Sequence, residues 1–312
     1  MRVLVTGGAG FIGGHLCRAL LRAGRAVTVL DNFDDAYAIE MKQENLAGLP
    51  VRLVQGDLRD GHAVREALNG ADAVVHLAAR AGVRESLADP LLYEDVNVRG
   101  TLELISAIRA RPVPLVFASS SSVYGRRADA HAFTEDDDVG HPVSPYAATK
   151  RACELFLYSA HSDWGLQARC LRFFTVYGPR QRPAMAIALF IERALNGEPV
   201  PIFGDGSALR DFTWVGDAVD AILAALDRPI GFGVYNIGSG APIRLDALVD
   251  AIELAVGRPV HRLHLPDQPG DVPRTHADIQ RAGAALDWRP QMLLPAGIAE
   301  TARQRRLSPP VV

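Results

Sequence analysis

The stretch MRVLVTGGAGFIGG, residues 1–14, runs from an apolar strand pattern through a glycine-rich turn into a helical pattern. Gly7, Gly10 and Gly13 form a GxxGxxG turn at the junction. Glycines at this spacing allow a tight turn, close approach of a pyrophosphate and close helix packing, while the helix N-terminus offers N–H groups to phosphates. A glycine motif alone is weak evidence of a binding site, but its position between a strand and a helix predicts a dinucleotide site.

Short apolar runs alternate with helical patterns through the first half of the chain. Strand patterns lie at Arg2–Thr6 and at residues 26–30, 51–55, 73–77, 114–118 and 168–173, and helical patterns at residues 11–23, 61–69, 91–110 and 144–162. The strand patterns are nearly all apolar, as expected when helices cover both faces of a sheet. The sequence therefore predicts an α/β fold with a Rossmann-type, doubly wound parallel sheet.

The pattern becomes irregular after about Val176. Proline and glycine cluster there, and the predicted helices at residues 185–196, 216–226, 245–256 and 278–286 are short. We expect residues 1–176 to form the dinucleotide-binding domain with the catalytic residues. Residues 177–312 are expected to form a smaller, irregular α/β lobe for the substrate, with some exchange of chain between the lobes left open.

The composition is typical of an ordinary soluble protein. The net charge of −3, with 22% charged residues, lacks the basic excess of a nucleic-acid-binding protein. No apolar run reaches the roughly 18 residues of a membrane span, and no basic segment precedes the first strand, so we expect neither a membrane span nor a signal peptide. Three widely separated cysteines, Cys17, Cys153 and Cys170, are typical of reduced thiols in the cytoplasm.

Two aspartates follow strands near the glycine turn. Asp31 ends the second strand, where a carboxylate hydrogen-bonds the ribose hydroxyls and repels a 2′-phosphate, which favours NAD over NADP. Asp57 follows the third strand and is a candidate for the adenine amino group. The alternative is a tight turn with two surface aspartates. The strand, the glycine turn, the helix and the acidic residue, however, follow one another in the order of a dinucleotide site.

Tyr146 and Lys150 form a YxxxK pair on a predicted helix, where the i,i+4 spacing places both side chains on one face. A lysine ammonium near a phenol lowers its pKa and makes it a better base at neutral pH. Only Lys42 and Lys150 are lysines among the 33 basic residues, so a compact ammonium is indicated at Lys150. The alternative is an exposed helix with a chance tyrosine and lysine.

Four serines, Ser119, Ser120, Ser121 and Ser122, follow the strand predicted to end at Ala118. They lie at the carboxyl edge of the sheet, where ligands bind in such folds. A serine near Tyr146 would hydrogen-bond a substrate hydroxyl and pass its proton, whereas the alternative is a serine-rich turn.

Other polar residues are interpreted as structural. His261 and His264 lie three apart in an apparent strand and point to opposite faces, so no metal site is expected. His76 ends an apolar strand and is interpreted as a hydrogen-bonded core residue. The acidic run at residues 135–138 is interpreted as a solvated loop.

At these motifs the chain resembles the extended short-chain dehydrogenases/reductases that modify nucleotide sugars, over nearly its whole length. The segments that carry the resemblance are TGGAGFIG from Thr6, HLAARAGVRESLADPLLYEDVNVRGT from His76, FASSSSVYG from Phe117, PVSPYAATKRACE from Pro142 and RFFTVYGPRQRP from Arg172. The AGVRxS and RFFTVYGP segments are most similar to those of the UDP-glucuronate 4-epimerases, since hexose 4-epimerases of the galactose type usually carry Asn where Thr175 stands. The pattern RPDM of these epimerases reads RPAM here, with Ala184 in place of the acid.

The resemblance implies roles for individual residues. Ser120, Tyr146 and Lys150 match the catalytic serine, base and lysine, Phe173 the aromatic residue beside the nicotinamide, and Arg210 a residue that binds the diphosphate. The expected cofactor residues are Gly7, Gly10, Phe11, Ile12, Gly13, Asp31, Asn32, Asp57, Leu58, Leu77, Ala78, Ala79, Ser119, Tyr146, Lys150, Phe173 and Val176. The expected substrate residues are Arg84, Ser120, Ser121, Ser122, Thr175, Arg182, Arg210 and Arg274.

The resemblance further implies an NAD-dependent epimerisation at C4 of a UDP-sugar through a transient 4-keto sugar, with UDP-glucuronate as the expected substrate. Related 4,6-dehydratases and UDP-glucuronate decarboxylases typically carry acids at positions matching residues 121 and 122, where this chain has serines. The alternatives are a UDP-glucose or UDP-N-acetylhexosamine 4-epimerase and a non-catalytic NAD-sensing protein. A homodimer through the two long predicted helices is also expected from the resemblance.

Overall fold

The computed structural model describes residues 1–127, 131–228, 231–266 and 272–307. The strands in these residues are β1 (Arg2–Thr6), β2 (Ala26–Asp31), β3 (Arg52–Gln55), β4 (Ala73–His76), β5 (Leu115–Ser120), β6 (Ala168–Phe173), β7 (Thr175–Tyr177), β8 (Val200–Phe203), β9 (Leu209–Arg210), β10 (Phe212–Trp214), β11 (Phe232–Ile237), β12 (Ile243–Arg244) and β13 (Arg262–Leu265). The α-helices are α1 (Phe11–Arg22), α2 (Ile39–Leu46), α3 (Gly61–Leu68), α4 (Val83–Ala88), α5 (Pro90–Tyr93), α6 (Gly100–Ala110), α7 (Pro145–Trp164), α8 (Ala186–Asn196), α9 (Val215–Asp227), α10 (Leu245–Val256), α11 (Gln280–Leu286) and α12 (Leu294–Leu307).

Seven parallel strands form the central sheet, in the order β11-β6-β5-β4-β1-β2-β3. The direction in which successive strands are added reverses between β1 and β4, and a crevice opens at such a point in doubly wound sheets. Thr6 at the end of β1 pairs with Leu30 of β2 and His76 of β4, so the carboxyl ends of these strands are level. The predicted α/β class and doubly wound parallel sheet are confirmed.

Helices bury apolar side chains against both faces of this sheet. One core contains Leu16 of α1 and Ile222 of α9, and the core on the other face contains Leu104 of α6 and Leu157 of α7; all four side chains are fully buried. Strand β1 places Val3 and Val5 in the first core and Leu4 in the second, as expected for a strand that is covered on both faces.

A third apolar core lies in the second half of the chain. It joins α8, α10 and α12 to β8 through fully buried residues such as Ile191, Ile202 and Ile252. Two elements of this half nevertheless pack with the first half of the chain. Strand β11 joins the central sheet beside β6, and helix α9 packs on α1. The division into residues 1–176 and 177–312 stays a prediction.

Two predicted elements differ in detail from the structure. The helix predicted over residues 91–110 consists of α5, a π-helix at Glu94–Arg99 and α6. In the π-helix, Asn97 hydrogen-bonds the backbone N–H and C=O of Arg80 and the hydroxyl of Thr149. Strand β5 continues through Ser120, and residues Ser121–Tyr124 form a 3-10 helix, so two of the four serines lie within the strand.

Asp211 joins the second lobe to the carboxyl end of β11. This fully buried carboxylate accepts hydrogen bonds from the backbone N–H groups of Ser239 (2.6 Å), Gly240 (3.1 Å) and Ala277 (3.0 Å) and from the Ser239 hydroxyl (2.7 Å). A buried N–H that loses its acceptor is destabilising, so Asp211 fixes the segment next to Arg210.

Replacing Asp211 with alanine is expected to lower the free energy of unfolding by at least about 3 kcal/mol, because several buried donors lose their acceptor. Chemical denaturation of both proteins measures the difference. Asp205→Ala is the control, since that exposed carboxylate bonds only Ser207 in its own turn. Equal stability of the Asp211→Ala and wild-type proteins would contradict this role.

Candidate active site

A cavity of about 940 Å³ lies at the carboxyl edge of the sheet and extends to the second lobe. Its lining includes residues at the ends of β2, β5 and β6, residues that directly follow β1 and β4, and residues of α8 and β8. Every residue expected to bind cofactor lines this cavity, as do all the expected substrate residues except Arg274. The assignment of individual roles within the cavity stays a prediction.

The glycine turn packs too closely for side chains at two positions. A Cβ on Gly7, whose φ is +70°, would lie 2.7 Å from the backbone nitrogen of Ala78, and a Cβ on Gly13 would lie 2.3 Å from the carbonyl oxygen of Gly7. Gly10 precedes the 12-residue helix α1, and no side chain caps the N-terminus of that helix. The turn thus leaves a helix N-terminus open to the cavity, which suits a phosphate group.

Asp31 is buried at the end of β2 and is held by two backbone groups. Its carboxylate accepts hydrogen bonds from the N–H groups of Ala9 and Phe33, each at 2.9 Å. Burial raises the pKa of Asp31, while these hydrogen bonds and the charge of Lys42 oppose the rise. Each carboxylate oxygen can accept a further hydrogen bond, so Asp31 fits a ribose diol.

Asp57 lines the same part of the cavity with both oxygens already engaged. Arg59 binds it through two nitrogens at 2.8 Å each, and the amide of Asn32 donates to it at 3.0 Å. The Arg59 guanidinium holds the pKa of Asp57 well below its usual range. Asp57 therefore stays ionised and fixed in orientation at this edge.

Two polar residues that line the cavity near Asp31 were not predicted from the sequence. Lys42 of α2 and Tyr37 line the cavity, with the Lys42 ammonium 4.9 Å from the centre of the Tyr37 ring. Lys42 donates to the carbonyl oxygen of Asp34, whose carboxylate pairs with Arg80. The sequence signal that could have found Lys42 is the rarity of lysine, since both lysines of the chain line this cavity.

Tyr146, Lys150 and Ser120 meet where α7 crosses the end of β5. A hydrogen bond from the Ser120 hydroxyl lowers the pKa of Tyr146, and Ser120 accepts a hydrogen bond from the hydroxyl of Ser122 at 2.9 Å. Lys150 donates to the carbonyl oxygen of Ala118 at 2.8 Å and lies 6.0 Å from the centre of the Tyr146 ring. The YxxxK spacing thus brings both side chains to the serine segment.

Burial shifts the pKa values of Tyr146 and Lys150. It raises the pKa of Tyr146, against which the Ser120 hydrogen bond and the Arg182 charge act, and it lowers the pKa of Lys150 to about 8. The sequence predicts that Lys150 lowers the pKa of the Tyr146 phenol. In the structure the Lys150 ammonium donates to Ala118 and lies 6.0 Å from the centre of the Tyr146 ring, and the charge of Arg182 also opposes the rise in the pKa of Tyr146.

Arg182 is a half-buried cation in the cavity lining. Its guanidinium donates to the carbonyl oxygen of Ala81 at 3.2 Å and contacts the sulfur of Met185 at 3.7 Å. It forms no ion pair with a carboxylate in the described part of the chain, and its charge lowers the pKa values of Tyr37, Tyr93 and Tyr146. Thr175, Ser121 and Ser122 line the same cavity.

The other expected substrate arginines occupy different positions. Arg84 lies over the ring of Phe203 at 4.9 Å, and both residues line the cavity together with Arg210. Arg274 forms a bridge with Leu209 and bonds His276 at 3.1 Å, and it is not among the lining residues.

Two of the structural interpretations are tested by hydrogen bonding. His76 is buried between the hydroxyls of Thr6 (2.6 Å) and Thr101 (3.0 Å), and burial lowers its pKa to about 3, which confirms a neutral core histidine. The solvated-loop interpretation is wrong for Glu135, whose nearly buried carboxylate accepts from the backbone N–H of Asn236 at 2.7 Å.

No group of three His, Cys, Asp or Glu side chains among the described residues is placed to hold a metal ion. No helix within the same residues is long and apolar enough to cross a bilayer.

The chain belongs to the NAD dependent epimerase/dehydratase family, whose model matches residues 3–238. It is 40% identical over 306 residues to a UDP-glucuronate 4-epimerase of Thermodesulfobacterium geofontis, covering 96% of this chain and 94% of that one. The structure of a UDP-glucuronic acid 4-epimerase from Bacillus cereus, in complex with UDP-glucuronic acid and NAD, is similar with a TM-score of 0.92 and 34% identity, covering 97% and 99% of the two chains. A UDP-glucose 4-epimerase of Thermus thermophilus in complex with NAD is similar with a TM-score of 0.91 and 36% identity, covering 99% and 100%.

Proposed function

We propose that this protein interconverts UDP-glucuronate and UDP-galacturonate by NAD-dependent epimerisation at C4. The family, the glycine turn and Asp31 support NAD as the cofactor. Tyr146, Ser120 and Lys150 support oxidation and reduction at a sugar hydroxyl. Similarity to UDP-glucuronate 4-epimerases supports the uronate as substrate, and residues of the cavity bear on the same choice.

The chain's own residues account for the proton transfer. Bound NAD supplies the hydride acceptor and donor for C4. Tyr146 accepts the proton of the C4 hydroxyl, and Ser120, which bonds the phenol, holds that hydroxyl and passes the proton. Lys150 keeps a positive charge beside them. The 4-keto sugar then has to present its other face before reduction, and a cavity of about 940 Å³ gives it room.

Arg182 is the observation that carries the uronate assignment. A cation in a cavity without a carboxylate partner in the described residues is suited to a substrate carboxylate, since charge-assisted hydrogen bonds fix position and orientation. Thr175, Ser121 and Ser122 add hydroxyl donors in the same cavity.

Holding the carboxylate also protects the 4-keto intermediate. Oxidation of UDP-glucuronate at C4 gives a β-keto acid, which loses CO₂ when the breaking bond lies perpendicular to the carbonyl plane. Hydroxyls and an arginine hold the carboxylate away from that alignment, whereas an acid at Ser121 or Ser122 would place one carboxylate against another. The two serines therefore favour epimerisation over dehydration and decarboxylation.

The homodimer belongs to the same proposal. Apolar side chains on α5, α6 and α7 are exposed, and contiguous exposed apolar surface marks interaction sites. They are Leu91 (79% exposed), Leu102 (38%), Leu155 (52%), Phe156 (40%) and Tyr158 (56%). We also propose a cytoplasmic location, supported by three buried cysteines that form no disulfide.

Tyr146→Phe is expected to reduce turnover by about 100-fold or more, because it removes the proton acceptor and leaves the ring in place. Turnover is measured by NMR of the products, and the dinucleotide released on denaturation is identified in both proteins. NAD is expected in both, since Tyr146→Phe leaves Asp31 intact. Wild-type turnover in the variant, or release of NADP, would contradict the proposal.

Arg182→Ala and Thr175→Ala are expected to lower kcat/KM for UDP-glucuronate roughly 10- to 100-fold, with less effect on any residual UDP-glucose turnover, because each removes a hydrogen bond to the carboxylate. A decarboxylated pentose product is also expected. Arg180→Ala is the control, since Arg180 lies outside the cavity and bonds the carbonyl oxygen of Glu44. Equal effects on both sugars, or a wild-type preference for UDP-glucose, would favour the hexose epimerase.

Replacing Leu155 and Tyr158 together by glutamate is expected to yield monomers, because two charges then face the partner helix. Sedimentation velocity measures the change. Leu254→Glu is the control, since Leu254 is 81% exposed on α10, outside this patch. A wild-type protein that sediments as a monomer would refute the dimer.

A further inference from the structure

Helix α7 contacts the end of β5 through three side chains, each one helical turn after the last. Tyr146 bonds the hydroxyl of Ser120, and Lys150 donates to the carbonyl oxygen of Ala118. The third side chain is Glu154, which accepts a hydrogen bond from the Ser119 hydroxyl at 2.6 Å. Three successive residues of β5 are thus bonded by residues at i, i+4 and i+8 of one helix face.

Glu154 is itself fixed from a second strand. Arg172 of β6 binds both carboxylate oxygens at 2.9 Å, and Arg151 donates to one of them at 3.0 Å. The side chains of Glu154 and Arg172 are 1% and 2% exposed. Arg172 in turn lies 4.9 Å from the centre of the Tyr124 ring, directly after the serine segment. The carboxylate is therefore locked to α7, β5 and β6 together.

We propose that Glu154, clamped by Arg172, is a positioning residue that sets the register of α7 on β5 and so holds Tyr146 against Ser120 for the proton transfer. This inference rests on the proposed function for the identity of the reaction. Its basis is the bonding pattern of α7 on consecutive residues of β5.

A structural role alone is a weak explanation of this pair. Burying two charges is costly, and apolar residues of similar volume often stabilise a fold equally well. A bidentate ion pair does fix orientation, which apolar packing does not. Proton transfer requires that geometry, since a displacement of about 1 Å costs up to roughly 100-fold in rate.

Glu154 also acts on Lys150 through its charge. Burial lowers the pKa of Lys150 to about 8, and the carboxylate of Glu154 is one of the charges that oppose this. Without that carboxylate the ammonium loses its proton at a lower pH. The charged and titratable groups that face the two side chains are Arg151, Arg172, Cys170, Cys153, His76 and Tyr146.

Two variants of the full-length protein separate geometry from charge. Ser119→Ala removes the bond between Glu154 and β5 and leaves the ion pair intact. Glu154→Gln removes the charge as well. In both, kcat for UDP-glucuronate is expected to fall about 10- to 100-fold with little change in KM. Only Glu154→Gln is expected to move the alkaline limb of the kcat–pH profile to lower pH.

Asp217→Asn is the matched control. Asp217 is a buried carboxylate on α9 that accepts hydrogen bonds from the backbone N–H groups of Gln291 and Met292, away from the cavity. Its substitution is expected to lower Tm and leave kcat and the pH profile unchanged. A loss of kcat in Asp217→Asn equal to that in Ser119→Ala would show a general packing effect and overturn the inference.

Wild-type kcat in Ser119→Ala overturns the inference, even if Glu154→Gln does not fold. If a folded Glu154→Gln protein keeps the wild-type alkaline limb in its kcat–pH profile, the proposed effect of the Glu154 charge on Lys150 is overturned. Failure of the wild-type enzyme on UDP-glucuronate contradicts the proposed function alone. The same variants are then compared on UDP-glucose, where the expected losses in kcat and the results that overturn them are unchanged.

Discussion

Every strand of the central sheet runs in one direction, and this parallel arrangement determines where ligands can bind. Ser120 at the end of β5 pairs with Phe173 of β6, which pairs with Ile237 of β11, so three carboxyl ends are level. Each following segment leaves the sheet at that edge. The glycine turn, Asp31 and the serine segment therefore reach one cavity although they lie far apart in the chain.

Burial of this edge sets the electrostatic requirement of the site. Burial disfavours the charged form of the Tyr146 phenol and of the Lys150 ammonium. A general base works best when its pKa is near the operating pH. The Ser120 hydroxyl and the Arg182 guanidinium lower the pKa of Tyr146 towards that value. Under the proposed function, Arg182 thus links the recognition of an anionic sugar to the chemistry at C4.

Local patterns predicted the elements that carry the site, and long-range contacts account for what they missed. Strands β1 and β6 and helix α10 have the predicted bounds, because their apolar runs and flanking glycines are local signals. The return of β11 to the sheet, the burial of Glu135 and the direction of Lys150 towards Ala118 depend on partners distant in sequence. A spacing rule places two side chains on one face but does not tell which atom each will bond.

Lysine usage connects composition to the site in a way that spacing does not. Arginine occupies almost every basic position of this chain, yet the cavity contains both lysines. Lys42 and Lys150 each donate to a backbone carbonyl oxygen, of Asp34 and Ala118, from a confined position. An ammonium fits such a position as a compact donor, whereas a planar guanidinium needs space for its fork. In a chain that otherwise uses arginine, each lysine therefore marks a place where the shape of the cation mattered.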